Sequence, residues 1–341
     1  MIIKADKLIK ERRNMIQDMA AEPDQVLKGL DTITGSISVV GSMNADYTVN
    51  TDRLPKPGET INGGPLQVLP GGKSANQAAT AARIGAQVRL FGAVGSDSNA
   101  DFLLGQLGNA GVDVSHVMTV PGASGTTVIT VDASGENTIV YSPGSNGKVD
   151  VDYAHRSRQA LTSAKVLGLC LESPIETVTE VARMGHEAGM TVLLNDSPFR
   201  ADLPADLIAN SDLILVNEHE MAQLLGIDEP EDGDWLGADW DRINQTMQDF
   251  GFHRAIVTLG GEGSMVLDQG QTYRIHAVHV DAVDTTGCGD AFMGTVLAGL
   301  ASDMTLVEAA QLASYVSAYA ATGQGAQASY GTAEQIRLRF S

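Results

Sequence analysis

The sequence is poor in cysteine, in basic residues and in long apolar runs, and each shortage excludes a class of protein. Only two cysteines, Cys170 and Cys288, occur in 341 residues, which argues against a disulfide framework and favours a reducing, cytoplasmic location. Lysine and arginine number 22 against 42 acidic residues, a net charge of −20, so we expect neither nucleic acid nor an anionic membrane as a partner. No run of 18 apolar residues occurs, so no membrane-spanning segment is expected.

The rest of the composition, 43% hydrophobic and 19% charged, is typical of a globular chain with a large core. Residues 1–35 mix charges of both signs with apolar residues and lack a small-residue cleavage site, so we expect a helical or flexible N-terminal extension and no signal peptide. Residues 36–341 are assigned to one domain. Within it, the segment 228–241 is acidic and contains tryptophan, and we expect a solvated insertion.

From Lys165 onward, strand and helix patterns alternate, which predicts a parallel sheet covered by helices. Ligands of such sheets bind beyond the carboxyl ends of the strands. Two stretches with alternating polarity, at about 47–69 and 125–141, predict a small separate sheet. Beside a large α/β core, such a sheet would serve as a lid.

The stretch 283–292 predicts the end of an extended segment, a tight turn and the start of a helix. Gly287 and Gly289 allow the sharp turn, and the free N–H groups of a helix N-terminus attract phosphate. Asp290 would repel that phosphate unless it accepts a proton from the attacking nucleophile. From this stretch alone, the alternative that Asp290 only caps the helix stays open.

Two earlier stretches offer polar groups for a ligand. Asn44 and Asp46 lie two residues apart just past a strand end and project the same way, which suits the vicinal hydroxyls of a sugar, with an Asx turn as the alternative. The stretch 71–77 opens an alanine-rich helix, with Asn76 in its first turn. The spacing G-x-x-x-x-G-K-[ST] is absent, which excludes a P-loop.

Together these motifs resemble the ribokinase (PfkB) family of sugar kinases, from about residue 36 to residue 329. G-G-K-S-A-N-Q at 71–77 is similar to the first signature of the family, and D-T-T-G-C-G-D-A-F at 284–292 to the second. Four shorter motifs appear in the family's order: G-S-M-N-A-D at 41–46, L-E-S-P at 171–174, V-N-E-H-E at 216–220 and T-L-G-G-E-G at 258–263. The resemblance implies an α/β three-layer sandwich, with a mostly parallel central sheet flanked by helices and a small β-sheet lid. It also implies ATP-dependent phosphorylation of the 5-hydroxyl of D-ribose.

The resemblance further implies a role for each matching residue. Asp290 would be the catalytic base, and the backbone N–H groups of Gly287, Cys288 and Gly289 would form an anion hole. The implied sugar-binding residues are Asn44, Asp46, Gly72, Lys73, Asn76, Glu172 and Asp290. The implied ATP-binding residues are Asn217, Thr258, Gly260, Gly261, Gly263, Gly289 and Ser314.

Metal ions and an oligomeric state are implied in the same way. Mg²⁺ would come with ATP and lie near Asn217 and Glu220, largely through water. A monovalent cation, K⁺, would bind at Asp284, Thr286, Ala321, Gln324 and Ser329. The lid would form the interface of a homodimer.

Several alternatives stay open. The same chemistry could act on deoxyribose, a nucleoside, or a ketohexose or its phosphate, or the chain could be a sugar sensor that has lost catalysis. A nicotinamide oxidoreductase is disfavoured because no G-x-G-x-x-G opens a helix after the first strand. Cys288 departs from the family pattern in the anion hole, and we expect its thiol, at a helix N-terminus, to be acidified and reactive.

Overall fold

The computed structural model describes residues 16–341, and its strands belong to two sheets. In chain order the strands are β1 (Gln17–Asp18), β2 (Ser36–Val40), β3 (Asn44–Asn50), β4 (Gln67–Gly71), β5 (Gln87–Val94), β6 (Val117–Thr119), β7 (Gly125–Val131), β8 (Asn137–Ser142), β9 (Val166–Leu169), β10 (Thr191–Asn195), β11 (Leu213–Asn217), β12 (Arg254–Thr258), β13 (Ser264–Asp268) and β14 (Gln271–Ile275).

The helices lie mostly between the strands of the larger sheet. They are α1 (Pro23–Leu27), α2 (Lys73–Arg83), α3 (Ser98–Asn109), α4 (Val151–Leu161), α5 (Ile175–Glu187), α6 (Ala205–Ala209), α7 (Glu218–Leu225), α8 (Trp240–Phe250), α9 (Cys288–Ala301), α10 (Leu306–Ala321), α11 (Ala326–Ser329) and α12 (Ala333–Phe340). Over residues 16–341, no helix combines the length and the apolar character that crossing a bilayer requires.

Within the described residues, the larger sheet has ten strands in the order β1-β14-β13-β12-β11-β10-β9-β2-β5-β6. Its centre is parallel, because β5, β2, β9, β10, β11 and β12 all run the same way. Only β13 runs against its neighbours, β12 and β14. The alternation predicted from Lys165 onward is therefore confirmed.

Two apolar clusters cover the two faces of this sheet and make a three-layer sandwich. One joins α2, α9 and α10 to strand residues such as Leu193 and Leu215. The other joins α5, α7 and α8 to the intervening residues Leu194 and Val216. Central strands are apolar on both faces because successive side chains point to opposite layers.

The smaller sheet has the order β4-β3-β7-β8 and stands apart from the larger one. It contains the two segments predicted near 47–69 and 125–141, although strand structure in the first is confined to β3 and β4. Register places Leu69, Asp46, Thr127 and Tyr141 side by side on one face, and Val68, Tyr47, Val128 and Val140 on the other. Val128 and Val140 are 54% and 67% exposed, so this second face is apolar and uncovered in the single chain.

The predicted N-terminal extension lies partly outside the described residues, which begin at Ile16. The described part adds β1 to the edge of the large sheet, parallel to β14. Leu27, Leu30 and Ile33 then join the core cluster of α2, α9 and α10. Neither this strand nor this packing was predicted from the sequence.

The expectation of a solvated insertion at 228–241 is wrong in one respect. Trp235 and Trp240 are only 5% and 1% exposed and belong to the core cluster of α5, α7 and α8. The indole Nε1 of Trp240 donates to the carbonyl of Trp235 at 2.7 Å. Burying two large aromatic surfaces outweighs the acidity of the segment, whose charged residues remain at the surface.

Candidate active site

Two helix N-termini meet at the carboxyl edge of the large sheet, beneath the small sheet. They belong to α2 and α9, which cross at a very short distance. A Cβ atom added to Gly294 of α9 would lie 2.4 Å from the carbonyl oxygen of Gln77 in α2. This close packing brings the first turns of α2 and α9 together, although their signatures are far apart in sequence.

The carboxylate of Asp290 lies in this junction and accepts a hydrogen bond on each oxygen. Asn76 Nδ2 donates to Oδ2 at 2.8 Å, and Gln77 Nε2 donates to Oδ1 at 3.3 Å. The N-cap position of α9 belongs to Gly287 and has no side-chain cap. The capping alternative for Asp290 is therefore not what the structure shows.

Burial raises the pKa of Asp290 above its ordinary value, and nearby Glu172 acts in the same direction. The Lys73 ammonium and the Asn76 and Gln77 amides act against this rise. A carboxylate with a raised pKa binds a proton more readily than a solvated one. A carboxylate of this kind can accept a proton from the hydroxyl of a bound ligand.

Glu172 and Lys73 lie beside Asp290. Glu172 Oε2 accepts hydrogen bonds from the Ser42 hydroxyl and from the backbone N–H of Lys73, the latter at 2.9 Å. Burial lowers the pKa of Lys73, but the charges of Asp290 and Glu172 outweigh it and raise the pKa above its usual value. Lys73 therefore remains a cation between two carboxylates.

Asn44 is the first residue of β3, and the side-chain amide of Asn146 fixes the orientation of the Asn44 amide. Asn146 is fully buried, and its Nδ2 donates to Asn44 Oδ1 at 2.7 Å. Asn146 Oδ1 accepts in turn from the backbone N–H of Met43 at 3.1 Å. The amide nitrogen of Asn44 is left as the group it offers to a ligand. Its place in a strand disfavours the Asx-turn alternative.

Asp46 lies on the site-facing side of the small sheet, and its register partner Thr127 donates its hydroxyl to Oδ1. Oδ2 lies over Gly71, where an added Cβ would come within 1.9 Å of it. Burial raises the pKa of Asp46 to about 6, with smaller contributions from Glu172 and Asp290, against the lowering effect of Thr127. Asp46 is thus a partly desolvated carboxylate with one oxygen already bonded.

The glycine turn before α9 has the predicted shape. Gly287 adopts a φ of +78°, and an added Cβ would lie 2.5 Å from the Tyr330 hydroxyl, which itself donates to the Gly287 carbonyl at 2.9 Å. Of the predicted anion-hole groups, the Cys288 N–H donates to the Thr285 carbonyl at 3.1 Å. The helix start leaves the N–H of Gly289, and that of Asp290 itself, without an intrahelical acceptor.

The thiol of Cys288 does not match the expected acidified group. Burial, followed by the charges of Asp284 and Asp290, raises its pKa to about 11. Because burial and both negative side chains favour the neutral form, the thiol stays protonated near neutral pH.

A cavity of about 380 Å³ opens next to the turn. Its lining includes the predicted residues Thr258, Gly260, Gly261, Gly263, Cys288, Gly289 and Ser314. Other lining residues were not predicted, namely Ala277, Val278, His279, Val280, Ala282, Phe292, Ser317 and Ala318. The small and β-branched residues Ala277, Val278, Val280 and Ala282, shortly before the second signature, were the available signal for this wall.

Asn217 and Glu220 lie at the carboxyl end of β11, away from the lining of that cavity. They form a capping box at the start of α7, in which Glu220 N donates to Asn217 Oδ1 at 2.7 Å and Asn217 N to Glu220 Oε2 at 2.9 Å. No cluster of three His, Cys, Asp or Glu side chains suited to a metal occurs in the described part of the chain. Glu220 provides a carboxylate oxygen, a hard ligand, but not a full coordination sphere. This fits Mg²⁺, which would bring phosphate and water ligands with it.

The residues predicted to hold a monovalent cation come together in part. Asp284 accepts from Thr286 N at 2.9 Å and from Gly325 N at 2.8 Å, and the Ala321 carbonyl accepts from Val283 N at 2.8 Å. Ser329 is buried and donates to the Ala326 carbonyl, whereas Gln324 is exposed. Carboxylate and carbonyl oxygens, the ligands of hard cations, thus meet where two loops cross.

The chain is similar to proteins of known class over most of its length. The pfkB family carbohydrate kinase profile matches residues 34–333. The chain is 32% identical over 301 residues to ribokinase from Haemophilus influenzae, covering 88% of this chain and 96% of that protein. It is also 32% identical over 309 residues to deoxyribokinase from Salmonella typhi, covering 89% and 98%. Arabidopsis thaliana ribokinase complexed with ribose and ATP superposes with a TM-score of 0.79 and 28% identity, covering 90% of this chain and 100% of that one.

Proposed function

This chain belongs to the pfkB family of carbohydrate kinases, and we propose that its acceptor is D-ribose, phosphorylated by ATP at the 5-hydroxyl. The membership makes it an ATP-dependent sugar kinase with the ribokinase-like fold, as predicted. The observation that carries the proposal is the junction at Asp290. Its carboxylate accepts hydrogen bonds from two amides and lies between the N-terminus of α9, which follows the Gly287 turn, and the proposed sugar-binding groups.

Asp290 acts as the base in this proposal. It accepts the proton of the sugar hydroxyl as that oxygen attacks the γ-phosphorus of ATP. The phosphoryl group then passes to the sugar, and ADP leaves. The free N–H groups at the start of α9 stabilise the negative charge that develops on the transferred group. Lys73 balances the charges of Asp290 and Glu172 and keeps the junction from becoming purely anionic.

The acceptor side of the site supports a neutral, polyhydroxylated substrate. Asn44, Asp46 and Glu172 are each fixed by a protein hydrogen bond before any ligand binds. Carboxylates bind sugar hydroxyls well, and they would repel a sugar that already carries a phosphate. The proposal therefore favours ribose over a ketohexose phosphate.

Nucleotide use implies a divalent metal, and we propose Mg²⁺ near Glu220 and Asn217, largely through water. When bound, Mg²⁺ neutralises the polyphosphate and stabilises the charge of the transition state. We also propose K⁺ as an activator at the crossing of the loops around Asp284 and Ala321, supported by the oxygens that meet there. Comparing rates in K⁺ and Na⁺ tests that site, and equal rates would remove it.

The uncovered face of the small sheet supports a homodimer through this sheet, which would act as a lid. Val68, Val128 and Val140 share that face and are 39%, 54% and 67% exposed. An apolar face of this kind marks an interaction surface. Val140→Asp should shift the mass measured by light scattering from dimer to monomer, and a monomeric unsubstituted protein would refute the dimer. The two free thiols support a cytoplasmic location.

The decisive experiment measures ADP release with Mg-ATP and K⁺ across ribose, deoxyribose, fructose, adenosine and no sugar. The proposal expects release that depends on ribose and is lost in Asp290→Asn. Release with another acceptor would keep the mechanism and change the substrate. No release with any acceptor, with ribose binding still detected by calorimetry, would identify a sugar sensor.

Deoxyribose is the second candidate, because curated deoxyribokinases match the chain as well as ribokinases do. The two sugars differ by one hydroxyl. A site whose carboxylate is built to bond that hydroxyl rejects the sugar that lacks it, because a buried polar group is then unpaired. The ratio of kcat/KM for the two sugars therefore decides between them.

A further inference from the structure

Helix α11 carries a buried glutamine, Gln327, that lies near the junction at Asp290. Gln327 is 4% exposed, and its Nε2 donates to Asn76 Oδ1 at 3.0 Å. The two residues are 251 positions apart in the chain. Neither signature of the family contains Gln327, and its contact is with the residue that holds the carboxylate of Asp290.

The contact fixes which end of the Asn76 amide faces Asp290. An amide has an acceptor oxygen at one end and a donor nitrogen at the other, and the two ends have nearly the same shape. Because Gln327 occupies the oxygen of Asn76, the nitrogen is the end that meets Asp290 Oδ2. In the reversed orientation, two acceptors would face each other across the same gap.

We propose that Gln327 is a positioning residue for phosphoryl transfer, acting on Asp290 through the orientation of the Asn76 amide. The inference rests on the proposed role of Asp290 as base. It also links that base to the loop before α11, because Gly325, two residues earlier, donates its N–H to Asp284 Oδ2 at 2.8 Å. A shift of α11 would therefore alter the contacts of the Asp290 carboxylate through two hydrogen bonds, one from Gln327 to Asn76 and one from Asn76 to Asp290.

Gln327→Met removes the donor at nearly constant volume and is the first test. Without the donor, Asn76 rotates and its bond to Asp290 weakens, so the pKa of Asp290 rises further. The acid limb of kcat/KM should move up by about one pH unit, the scale of one charge-assisted hydrogen bond. Turnover should recover at higher pH. The titratable groups that face Asp290 are Lys73, Glu172, Asp46, Cys288 and Tyr330, and all are unchanged in this variant.

Gln327→Glu is the second test and keeps a side chain of the same size. Thermal melting and ribose binding by calorimetry show whether each variant is folded, because a buried carboxylate can itself destabilise the protein. An ionised glutamate only accepts, so it turns the nitrogen of Asn76 towards itself and the oxygen towards Asp290. Its negative charge raises the pKa of Asp290 as well, so the two effects add and Gln327→Met remains the variant that isolates the amide. The acid limb of Gln327→Glu should lie above that of Gln327→Met. The matched control is Gln311→Met, whose Nε2 donates to the Met19 carbonyl away from this junction.

An acid limb in both Gln327 variants equal to that of the control would overturn the inference. So would a loss of turnover that is the same at every pH, since that would indicate a structural defect. Failure of the proposed function looks different, because the unsubstituted protein would then lack sugar-dependent ADP release, or Asp290→Asn would retain it.

Discussion

The candidate active site has a proposed sugar end and a proposed nucleotide end, and the two differ in the residues that line them. At the sugar end, charged and amide side chains dominate, and several accept protein hydrogen bonds, as Asp46 does from Thr127 and Asn44 from Asn146. At the nucleotide end, glycines and small residues line a cavity of about 380 Å³, and no Asp, Glu, Lys or Arg among residues 16–341 belongs to its lining. Asp290 stands where the two ends meet.

The difference follows from the charges of the ligands. The chain has a net charge of −20, so a polyphosphate is best bound where side-chain carboxylates are absent and backbone dipoles act. A neutral sugar carries no such penalty and can be bound by carboxylates. Substitutions of side chains should therefore matter at the sugar end and at the junction, and little at the nucleotide end.

The largest effect is expected at the junction. Asp290→Asn keeps the size of the side chain and removes the base, so kcat should fall on the order of 10²–10⁴-fold. Binding of ribose and ATP, measured by calorimetry, should persist. Near-normal turnover would show that the two ends react without this carboxylate.

Asp46→Asn comes next, since it removes a charge from the sugar end. A lost hydrogen bond to a charged group should raise KM for ribose by about 10- to 100-fold, with a smaller change in kcat. Because the pKa of Asp46 is raised to about 6, protonation below that pH should raise KM for ribose in the unsubstituted protein. Asp46→Asn should lose this pH dependence while KM for ATP stays constant.

The same substitution provides a check on stability. The folded pKa of Asp46 lies above its unfolded value of 3.8, so ionisation costs folding free energy as pH rises from about 4 to 6. At pH 7, Asp46→Asn should therefore melt at a higher temperature than the unsubstituted protein. A lower Tm would mean that the charge stabilises the small sheet.

Thr127→Val should have a moderate effect confined to the sugar end. Valine keeps the shape of threonine and removes the hydroxyl that bonds Asp46 Oδ1. KM for ribose should rise about fivefold, the scale of one hydrogen bond. Thr127→Ser, which retains the hydroxyl, should restore most of the affinity, and equal KM values in the two variants would exclude a role for the hydrogen bond.

The smallest effect is expected at the nucleotide end. Cys288→Ser leaves the backbone of the turn unchanged, and kcat/KM should stay within about twofold because only backbone N–H groups of the turn are proposed to act on the phosphate. The pKa of the Cys288 thiol is raised to about 11, so alkylation by iodoacetamide at pH 7 should be slow, with or without ATP. Fast labelling that ATP blocks would restore the acidified thiol expected from the sequence.

Local chain features determined much of the site in advance. The turn at Gly287, the helix that begins at Cys288 and the position of Asp290 in its first turn all depend on neighbouring residues, and the sequence predicted them. Strand and helix alternation likewise predicted the parallel sheet. Such features are readable because backbone preference and apolar periodicity act over a few residues.

Contacts between residues that are distant in sequence were decided only by the tertiary structure. Thr127 meets Asp46 across 81 positions because β3 and β7 pair in one register, and a shift of one residue would turn Thr127 away. Gln327 reaches Asn76 across 251 positions because α11 packs beside α2. Trp235 and Trp240 belong to an acidic segment but pack into the protein core, and this too depends on tertiary packing. The sequence by itself named the groups that we propose carry the chemistry. Their hydrogen-bond partners depended on register and helix packing, which only the folded chain fixes to within a few tenths of an ångström.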